Sequence, residues 1–267
     1  EKAKLLLSKT NKTINYKGQY VPIFTKTIRI FSWNICWEKM QGKKALGKSC
    51  KDNCYNEFGK YLNNTILDNY DILCFQEASD NDPNVNYNKH IENFKFISNN
   101  TYEKQKHKSG KDTMITLFKK KKFTFKNRFY GDLNNGFKEK SGGRPFLITI
   151  LENNYNSEII LLCNVHFPHS QKNSEDILKK TFQIIYEQIN YNRIIVVGDH
   201  NHSYYSDEFT QKISFDKDNF KFYNNRTERP NTLYNKQIDL VSDTKSKPKY
   251  YKLNVPTFNG IPVSDHS

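Results

Sequence analysis

A short run of β-branched residues, Ile194–Val197, constrains the fold of this chain more than any other feature of its sequence. Four such residues in succession are typical of a strand that is buried on both faces, and Gly198 ends the run. Because side chains alternate along an extended strand, we expect Asp199 and Asn201 to point the same way and His200 to point elsewhere. The stretch therefore predicts either a hydrolytic site on a rigid strand end or an ordinary Asp/Asn turn.

Other apolar runs along the chain predict further strands and two amphipathic helices. The predicted strands are Thr27–Asn34, Asp71–Gln76, Phe94–Ser98, Thr113–Phe118, Phe123–Lys126, Arg144–Leu151, Glu158–His166 and Ile238–Val241. One helix begins near Asn53, with Cys54, Phe58, Leu62 and Ile66 on one face; the other begins at Asn173 or Ser174, with Leu178, Phe182, Ile185 and Ile189 on its apolar stripe. This order favours two mostly antiparallel sheets packed face to face and covered by helices, in one domain over 27–267 that follows a basic, irregular extension at 1–26.

The chain is strongly basic, with a formal net charge of +14 and a pI near 9.3. Such a charge attracts polyanions, of which nucleic acid is the commonest. An A+T-rich genome is the alternative source of the lysines, since adjacent asparagines such as Asn63–Asn64 and Asn224–Asn225 recur as well. The lysine run Lys119–Lys122 is interpreted as a solvated turn, with a phosphate-backbone contact as the alternative.

Cysteine usage and hydropathy exclude several classes of protein. Five cysteines, an odd number, argue against a complete disulfide framework. Cys36, Cys74 and Cys163 lie in apolar runs and are expected to be buried, and no second pair joins Cys50 and Cys54 in a zinc site. No apolar stretch approaches the roughly 20 residues of a membrane span. A glycosylation sequon at Asn201–Ser203, inside the predicted site, would block it if used, which favours an intracellular location without establishing one.

Polar, chemically capable residues end strand after strand of the predicted fold. They are Asn34, Glu77, His166, Asp199 with Asn201, Asp239, and Asp265 with His266. Six short blocks that contain them resemble, in order, those of the endonuclease/exonuclease/phosphatase superfamily, of which deoxyribonuclease I is a member. The blocks are Trp33-Asn34, Gln76-Glu77, Asn164–His166, Gly198–Asn201, Ile238-Asp239 and Ser264–His266. One block is weak evidence, but six in order span nearly the whole chain.

The resemblance implies a four-layer α/β/β/α sandwich and a divalent cation, Mg²⁺ with Mn²⁺ as a possible substitute. It implies Glu77 as the first metal ligand, since Mg²⁺ is held by one or two carboxylates and keeps other positions for water and phosphate oxygen. The amide oxygen of Asn34 is expected on the metal or on its water. Asp265 is expected to reach the metal through water.

The same resemblance assigns roles in the hydrolysis of a phosphodiester. Asp199 orients or deprotonates the attacking water, and Asn201 donates to the phosphate. His266 either acts as the base or, when protonated, stabilises the transition state, and Asp239 fixes its tautomer. His166 is expected on the other side of the phosphate as a second imidazole donor.

Arg144 resembles an arginine that contacts a phosphate in nucleases like deoxyribonuclease I, although an ordinary surface arginine fits the sequence nearly as well. A histidine at position 166 disfavours the apurinic-site endonucleases. The leading hypothesis is a Mg²⁺-dependent phosphodiesterase that hydrolyses nucleic acid, in particular DNA, with low sequence specificity. The alternatives are an enzyme of the same superfamily that acts on a phosphoinositide, another lipid headgroup or a 5′-tyrosyl-DNA adduct, and an inactive binding module of the same fold. No protein partner is indicated.

Overall fold

The structure is a computed structural model. It describes residues 12–14, 20–22, 27–35, 52–78, 101–110, 112–134, 143–169, 174–201, 213–215, 218–220, 223–224, 239–245, 257–258, 261–262 and 264. Only the backbone is described for 12–14, 20–22, 52–56, 239–240 and the short strands between 213–224 and 257–262. The predicted strand Phe94–Ser98 and the predicted buried Cys36 lie outside the described residues.

Sixteen strands and two α-helices are present among the described residues. The strands are β1 (Lys12–Ile14), β2 (Tyr20–Pro22), β3 (Ile30–Asn34), β4 (Ile72–Gln76), β5 (Tyr102–Ser109), β6 (Asp112–Lys119), β7 (Phe123–Asp132), β8 (Pro145–Asn153), β9 (Ile159–His166), β10 (Arg193–Asp199), β11 (Ile213–Phe215), β12 (Asp218–Phe220), β13 (Tyr223–Asn224), β14 (Asp239–Asp243), β15 (Thr257–Phe258) and β16 (Ile261–Pro262). The helices are α1 (Asp52–Tyr61), which continues into a π-helical turn at Leu62–Ile66, and α2 (Ser174–Gln188). Neither is long and apolar enough to cross a membrane.

Two sheets form the body of the molecule. The larger has the order β13-β14-β10-β9-β8-β7 and the smaller the order β3-β4-β6-β5. Neighbouring strands are antiparallel except for β3 with β4 and β9 with β10. Each of these parallel pairs is joined by a helical crossover, α1 or α2, because parallel neighbours need a long return connection. The predicted pair of mostly antiparallel sheets is therefore confirmed.

The sheets pack against each other and carry one helix each on their outer faces. Between them lies a core to which Ile72, Phe118 and Ile195 contribute. On the outside of the larger sheet, α2 buries Leu178, Phe182 and Ile185. On the smaller sheet, the Phe58 ring of α1 lies 5.1 Å from that of Trp33, between ring centroids. The result is the four-layer α/β/β/α sandwich that the resemblance implies.

The edge strands are where the structure departs from the sequence predictions. β5 has the polar sequence YEKQKHKS and was not predicted, because an edge strand with an exposed face lacks an apolar signature. β7 extends six residues beyond the predicted Phe123–Lys126, and a register shift between Phe125 and Asn127 interrupts its alternation. The extension at 1–26, predicted as irregular, contains the antiparallel pair β1 and β2.

A buried pair of amide side chains links the two sheets. Gln76 of β4 donates from Nε2 to Oδ1 of Asn164 in β9 at 2.8 Å. Asn164 in turn donates from Nδ2 to the backbone oxygens of Phe75 and Ile115, at 3.2 and 3.1 Å. Both amides are fully buried. A buried polar pair of this kind is stable only in one relative position of the sheets, because any slip leaves donors without acceptors.

We expect Asn164→Leu to lower the free energy of unfolding by about 2–4 kcal/mol, because the Gln76 amide keeps only its longer bond to Ser32 Oγ, and the backbone oxygens of Phe75 and Ile115 lose a donor in a dry core. The double variant Gln76→Leu/Asn164→Leu should be less destabilised than the sum of the two single variants, since no orphaned donor remains. Urea unfolding monitored by tryptophan fluorescence measures all four proteins of this cycle. Strict additivity would contradict a direct coupling between the two amides.

Candidate active site

The carboxyl ends of the two parallel strand pairs meet at one edge of the sandwich. Asn34 at the end of β3 pairs with Gln76 at the end of β4, and His166 at the end of β9 pairs with Asp199 at the end of β10. Parallel strands bring their carboxyl ends to the same edge, so residues distant in sequence become neighbours. Glu77 follows Gln76 directly. The predicted convergence of strand-end polar residues is therefore present for the members that the structure describes.

Asn34 lies between two carboxylates. Its Nδ2 donates to Glu77 Oε1 at 3.1 Å and to Asp199 Oδ2 at 2.8 Å. Asn34 and Asp199 are buried, and Glu77 is partly exposed. A neutral amide does not cancel the charge of two carboxylates, so this part of the site retains negative charge that a cation can compensate.

His166 lies between Asp112 and Arg144. Its Nδ1 makes a short contact with Asp112 Oδ2, and its Nε2 lies 2.7 Å from Arg144 Nη1. A guanidinium only donates, so Nε2 is the acceptor in this arrangement and the ring carries its proton on Nδ1, facing Asp112. All three side chains are buried. The predicted phosphate ligand Arg144 is thus part of the site rather than an ordinary surface arginine.

Opposing influences act on the imidazole. Burial lowers the pKa of His166, but the Asp112 carboxylate beside Nδ1 and the more distant Asp199 raise it by more, against the opposing effect of Arg144. The pKa of His166 therefore lies above its ordinary value.

Unusual backbone conformations place the site residues. Glu77 and Asn201 have left-handed φ values of 54° and 51°, which cost energy for residues other than glycine and are common at functional sites. The backbone N–H of Glu77 donates to Asp112 Oδ1 at 3.0 Å, which holds this conformation. Gly198 has a φ of 138°, and a Cβ there would lie 2.1 Å from the carbonyl oxygen of Val165. Only glycine therefore permits β10 to approach β9 just before Asp199.

Asn201 does not continue the strand as the alternation rule predicts. The strand ends at Asp199, the left-handed backbone of Asn201 turns the chain, and its Nδ2 donates to the backbone oxygen of Phe167 at 2.7 Å. Its backbone N–H donates to Asp199 Oδ1 at 2.8 Å, so Asn201 remains next to Asp199. His200 points away as expected, but it is buried and stacks on the Phe167 ring, with 5.0 Å between centroids.

The last predicted blocks are described only in part. The backbone of Asp239 pairs with that of Asp199 across β14 and β10, while its side chain lies outside the described residues, as do Asp265 and His266. Ser264 is buried, and its Oγ donates to the backbone oxygen of Asn34 at 2.8 Å. The residue that precedes Asp265 is therefore attached to the end of β3, next to Glu77 and Asp199.

Two residues of the site have no counterpart among the six blocks. Asp112 contacts both His166 and the Glu77 backbone, and Asp132 accepts from the backbone N–H of Arg144 at 3.1 Å. Asp112 is the first residue of β6, directly before the apolar run Thr113–Phe118, and Asp132 is the last residue of β7. The sequence signal for both residues is an acidic residue at one end of a strand. Acidic residues are also common in surface turns, so this signal does not identify a site residue.

Three side chains could hold a metal ion. Glu77, His166 and Asp199 offer ligand atoms that all lie within 4.8 Å of one another. His166 Nε2 is 3.6 Å from Glu77 Oε1 and 3.7 Å from Asp199 Oδ2. Two hard carboxylates at a partly exposed position fit a cation such as Mg²⁺, which keeps several positions for water and substrate. Because Arg144 and Asp112 engage the imidazole, the carboxylates are the better candidates.

Comparisons with known proteins place this geometry in a known fold. No protein-family model matches the sequence, and no curated protein does. Among solved structures, the Bacteroides vulgatus endonuclease/exonuclease/phosphatase is similar with a TM-score of 0.62 at 14% identity, over 90% of this chain and 96% of that one. D. rerio TDP2 complexed with single strand DNA product has a TM-score of 0.60 at 14% identity, over 91% and 96%. Bacteroides thetaiotaomicron mannosyl-6-phosphatase has a TM-score of 0.58 at 12% identity, over 82% and 86%.

These structures share the sandwich with this chain at identities too low to transfer an activity. Their similarity extends over most of each chain, so the whole four-layer body is common to them. The order of the six sequence blocks and the convergence of Asn34, Glu77, His166 and Asp199 agree with that similarity. The chain therefore has the fold of the endonuclease/exonuclease/phosphatase superfamily.

Proposed function

We propose that the protein is a divalent-metal-dependent hydrolase of phosphate esters, specifically a phosphodiesterase that cleaves nucleic acid, with DNA as the first candidate. The observation that carries this proposal is the meeting, at one sandwich edge, of two carboxylates, an imidazole and a guanidinium. These four side chains come from separate segments of the chain, and packing alone does not require polar residues at the strand ends that carry them. They are Glu77, Asp199, His166 and Arg144. Such a set suits a reaction in which negative charge develops on phosphoryl oxygens.

Glu77 is the proposed metal ligand, assisted through water by Asp265 and by the amide oxygen of Asn34. The role of Asn34 requires its amide to turn when the metal binds, because its Nδ2 faces Glu77 and Asp199 in the structure. A divalent cation bound there supplies Lewis acidity that polarises a phosphoryl oxygen of the substrate. The Asp199 carboxylate is held on one oxygen by Asn34 and on the other by the backbone of Asn201, so its orientation is defined. In that orientation it can align a water for in-line attack and accept the water's proton.

Arg144 and His166 are the proposed groups that stabilise the transition state. In the structure the guanidinium donates to the imidazole at 2.7 Å, and Nε2 of that imidazole lies 3.6 Å from Glu77 Oε1 and 3.7 Å from Asp199 Oδ2. A phosphate oxygen is a better acceptor for Arg144 than a neutral imidazole, because the pair is then charge-assisted. When Arg144 donates to phosphate instead, Nε2 of His166 can bind a proton. The protonated ring can then donate a hydrogen bond from Nε2 to a second phosphoryl oxygen. The raised pKa of His166 favours this.

The remaining roles follow the resemblance. His266 is proposed as the base or as a protonated stabiliser, with Asp239 fixing its tautomer. Asn201 is proposed to donate to the phosphate, which requires its amide to leave the Phe167 carbonyl that it contacts at 2.7 Å. A silent binding module is disfavoured, because it has no use for a buried Asp112–His166–Arg144 chain directed at a pair of carboxylates.

Two observations bear on the substrate. The net charge of +14 favours a polyanion, and a structurally similar protein is complexed with a single strand DNA product. A second candidate function, hydrolysis of a small phosphomonoester, is favoured by similarity to a mannosyl-6-phosphatase. The net charge distinguishes the two candidate functions, since a small sugar phosphate gains less from the field of a basic protein than a polyanion does.

A substrate panel tests the proposal. With Mg²⁺ or Mn²⁺, we expect cleavage of plasmid and single-stranded oligonucleotide to exceed hydrolysis of mannose 6-phosphate and a phosphoinositide by at least about tenfold in kcat/KM, because the positive net charge favours binding of a polyanion. A 5′-tyrosyl oligonucleotide is equally polyanionic, so release of tyrosine from it without internal cleavage would identify the adduct as the substrate. Gel electrophoresis and phosphate release measure the two product types. Preferential release of phosphate from the sugar or the lipid would favour the alternative.

Replacing Glu77 separates the metal site from the fold. Glu77→Gln should lower turnover by at least about 100-fold and weaken Mn²⁺ binding in calorimetry, since one carboxylate ligand is lost. In EDTA its melting temperature should equal or exceed that of the native protein, because repulsion with Asp199 is relieved. Glu152→Gln, a carboxylate paired with Lys126 at the opposite end of β8, is the matched control and should retain turnover. Equal Mn²⁺ affinity in both variants would exclude Glu77 as a ligand.

Asp112 is predicted to act through His166. Asp112→Asn keeps an oxygen for the Glu77 backbone but no longer accepts a strong hydrogen bond from the imidazole, so kcat should fall by about 100-fold with little change in KM. In a His166→Gln background the same change should cost less than about threefold, because its partner is gone. Steady-state kinetics on the four proteins measures this. Equal losses of kcat in both backgrounds would mean that Asp112 has a structural role only.

A further inference from the structure

The edge strands of the two sheets face each other along one side of the sandwich. β5 ends the smaller sheet and β7 ends the larger one. Three side-chain pairs, each 23 residues apart in sequence, join them: Gln105 with Arg128, His107 with Tyr130, and Ser109 with Asp132. The line of these three pairs is called the seam. Its members alternate along both strands, so they share one side of each.

An aromatic side chain is exposed in the middle of the seam. Tyr130 is 56% exposed, although one ring face stacks on His107 with 4.3 Å between centroids and 23° between planes. The Arg128 guanidinium lies 5.9 Å from the Tyr130 ring centroid. Burial lowers the pKa of His107, so this imidazole is neutral near pH 7 and supports the tyrosine as a flat neighbour. The stack holds the ring in place, while more than half of the Tyr130 side chain stays exposed to solvent.

The seam leads directly to the active site. Its last pair, Ser109 with Asp132, adjoins Arg144, whose backbone N–H donates to Asp132 at 3.1 Å. The Arg144 side chain in turn contacts His166. Tyr130 lies two residues before Asp132 on the same strand, a distance of about 7 Å along the chain. A ligand chain that leaves the phosphate position along this side therefore meets the exposed ring next.

Basic side chains lie on the seam and behind it. Arg128 is exposed on it, and Lys106 and Lys108 are exposed on the other side of β5. β5 carries three lysines and one glutamate, and that glutamate, Glu103, accepts a hydrogen bond from Gln105 at 3.2 Å. A guanidinium beside an exposed aromatic ring complements a chain that alternates phosphates with flat bases.

We infer that the seam binds a single-stranded segment of nucleic acid that continues from the active site, with one base stacked on Tyr130 and a backbone phosphate near Arg128. A single strand is specified because only an unpaired base can stack on the exposed part of the Tyr130 ring. This inference rests on the proposed function for its substrate class. It adds a binding surface outside the phosphate-cleaving centre and a preference for single-stranded or frayed substrate.

Binding without turnover tests the seam independently of catalysis. The ligand is a fluorescein-labelled oligothymidylate of about 12 nucleotides, and the Kd is measured by anisotropy in EDTA. Tyr130→Ala should raise the Kd about tenfold, whereas Tyr130→Phe, which keeps the ring, should stay within about twofold of the native protein. Arg128→Gln should reduce the slope of log Kd against log salt by about 0.7, while Tyr130→Ala should leave that slope unchanged.

Two control variants lie at the ends of these strands that are remote from the active site, in the β8–β9 turn and in the β6–β7 turn. Tyr155→Ala removes an exposed tyrosine from the turn between β8 and β9, and Lys121→Ala removes an exposed charge from the turn between β6 and β7. Neither should change the Kd or its salt dependence beyond about twofold. Equal Kd values for Tyr130→Ala and Tyr155→Ala, or tighter binding of a blunt duplex than of the single strand, would overturn the inference. Absence of hydrolysis with Mg²⁺, with this binding pattern intact, would instead reject the proposed function and leave the binding surface standing.

Discussion

The amide pair Gln76–Asn164 is the contact on which the geometry of the site depends. It joins the two sheets at their buried faces by a hydrogen bond of 2.8 Å. Glu77 follows Gln76 directly, and His166 lies two residues beyond Asn164 on the same side of its strand. Apolar contacts between sheets tolerate small slips, whereas a buried amide pair does not. The amide pair therefore determines how far apart the Glu77 carboxylate of one sheet and the His166 imidazole of the other can lie.

The site combines this rigid frame with concentrated charge. Asp112 contacts the backbone of Glu77 with one oxygen and His166 with the other, so it makes a second connection between the two sheets at the edge that carries the site. Glu77 and Asp199 remain close in spite of their mutual repulsion because strands in different sheets hold them there. Rigid placement of like charges is unfavourable for folding, and it is compensated when a cation or substrate binds.

The sequence predicts the parts of this arrangement that carry a local signature. Buried strands such as Ile194–Val197 are evident from β-branched runs, and the polar residue at each strand end marks a site member. The features of the structure that were not predicted have no local signature in the sequence. β5 is polar because it is an edge strand, and Asp112 looks like any acid beside a turn until β5, β6 and β9 are placed together. The conformation of Asn201 was mispredicted because a single left-handed residue ends the alternation.

The same residues of the edge strands discourage pairing with another chain and attract polyanions. A strand edge invites pairing with another chain, and lysines such as Lys106 and Lys108 discourage it. Charge at an edge is thus explained by folding alone, and the same charge makes the edge attractive to a polyanion. Tyr130 is not explained in this way, because an exposed, flat aromatic side chain favours association rather than preventing it. Its place beside Arg128, two residues from the aspartate that anchors Arg144, gives that exposure a use next to the active site.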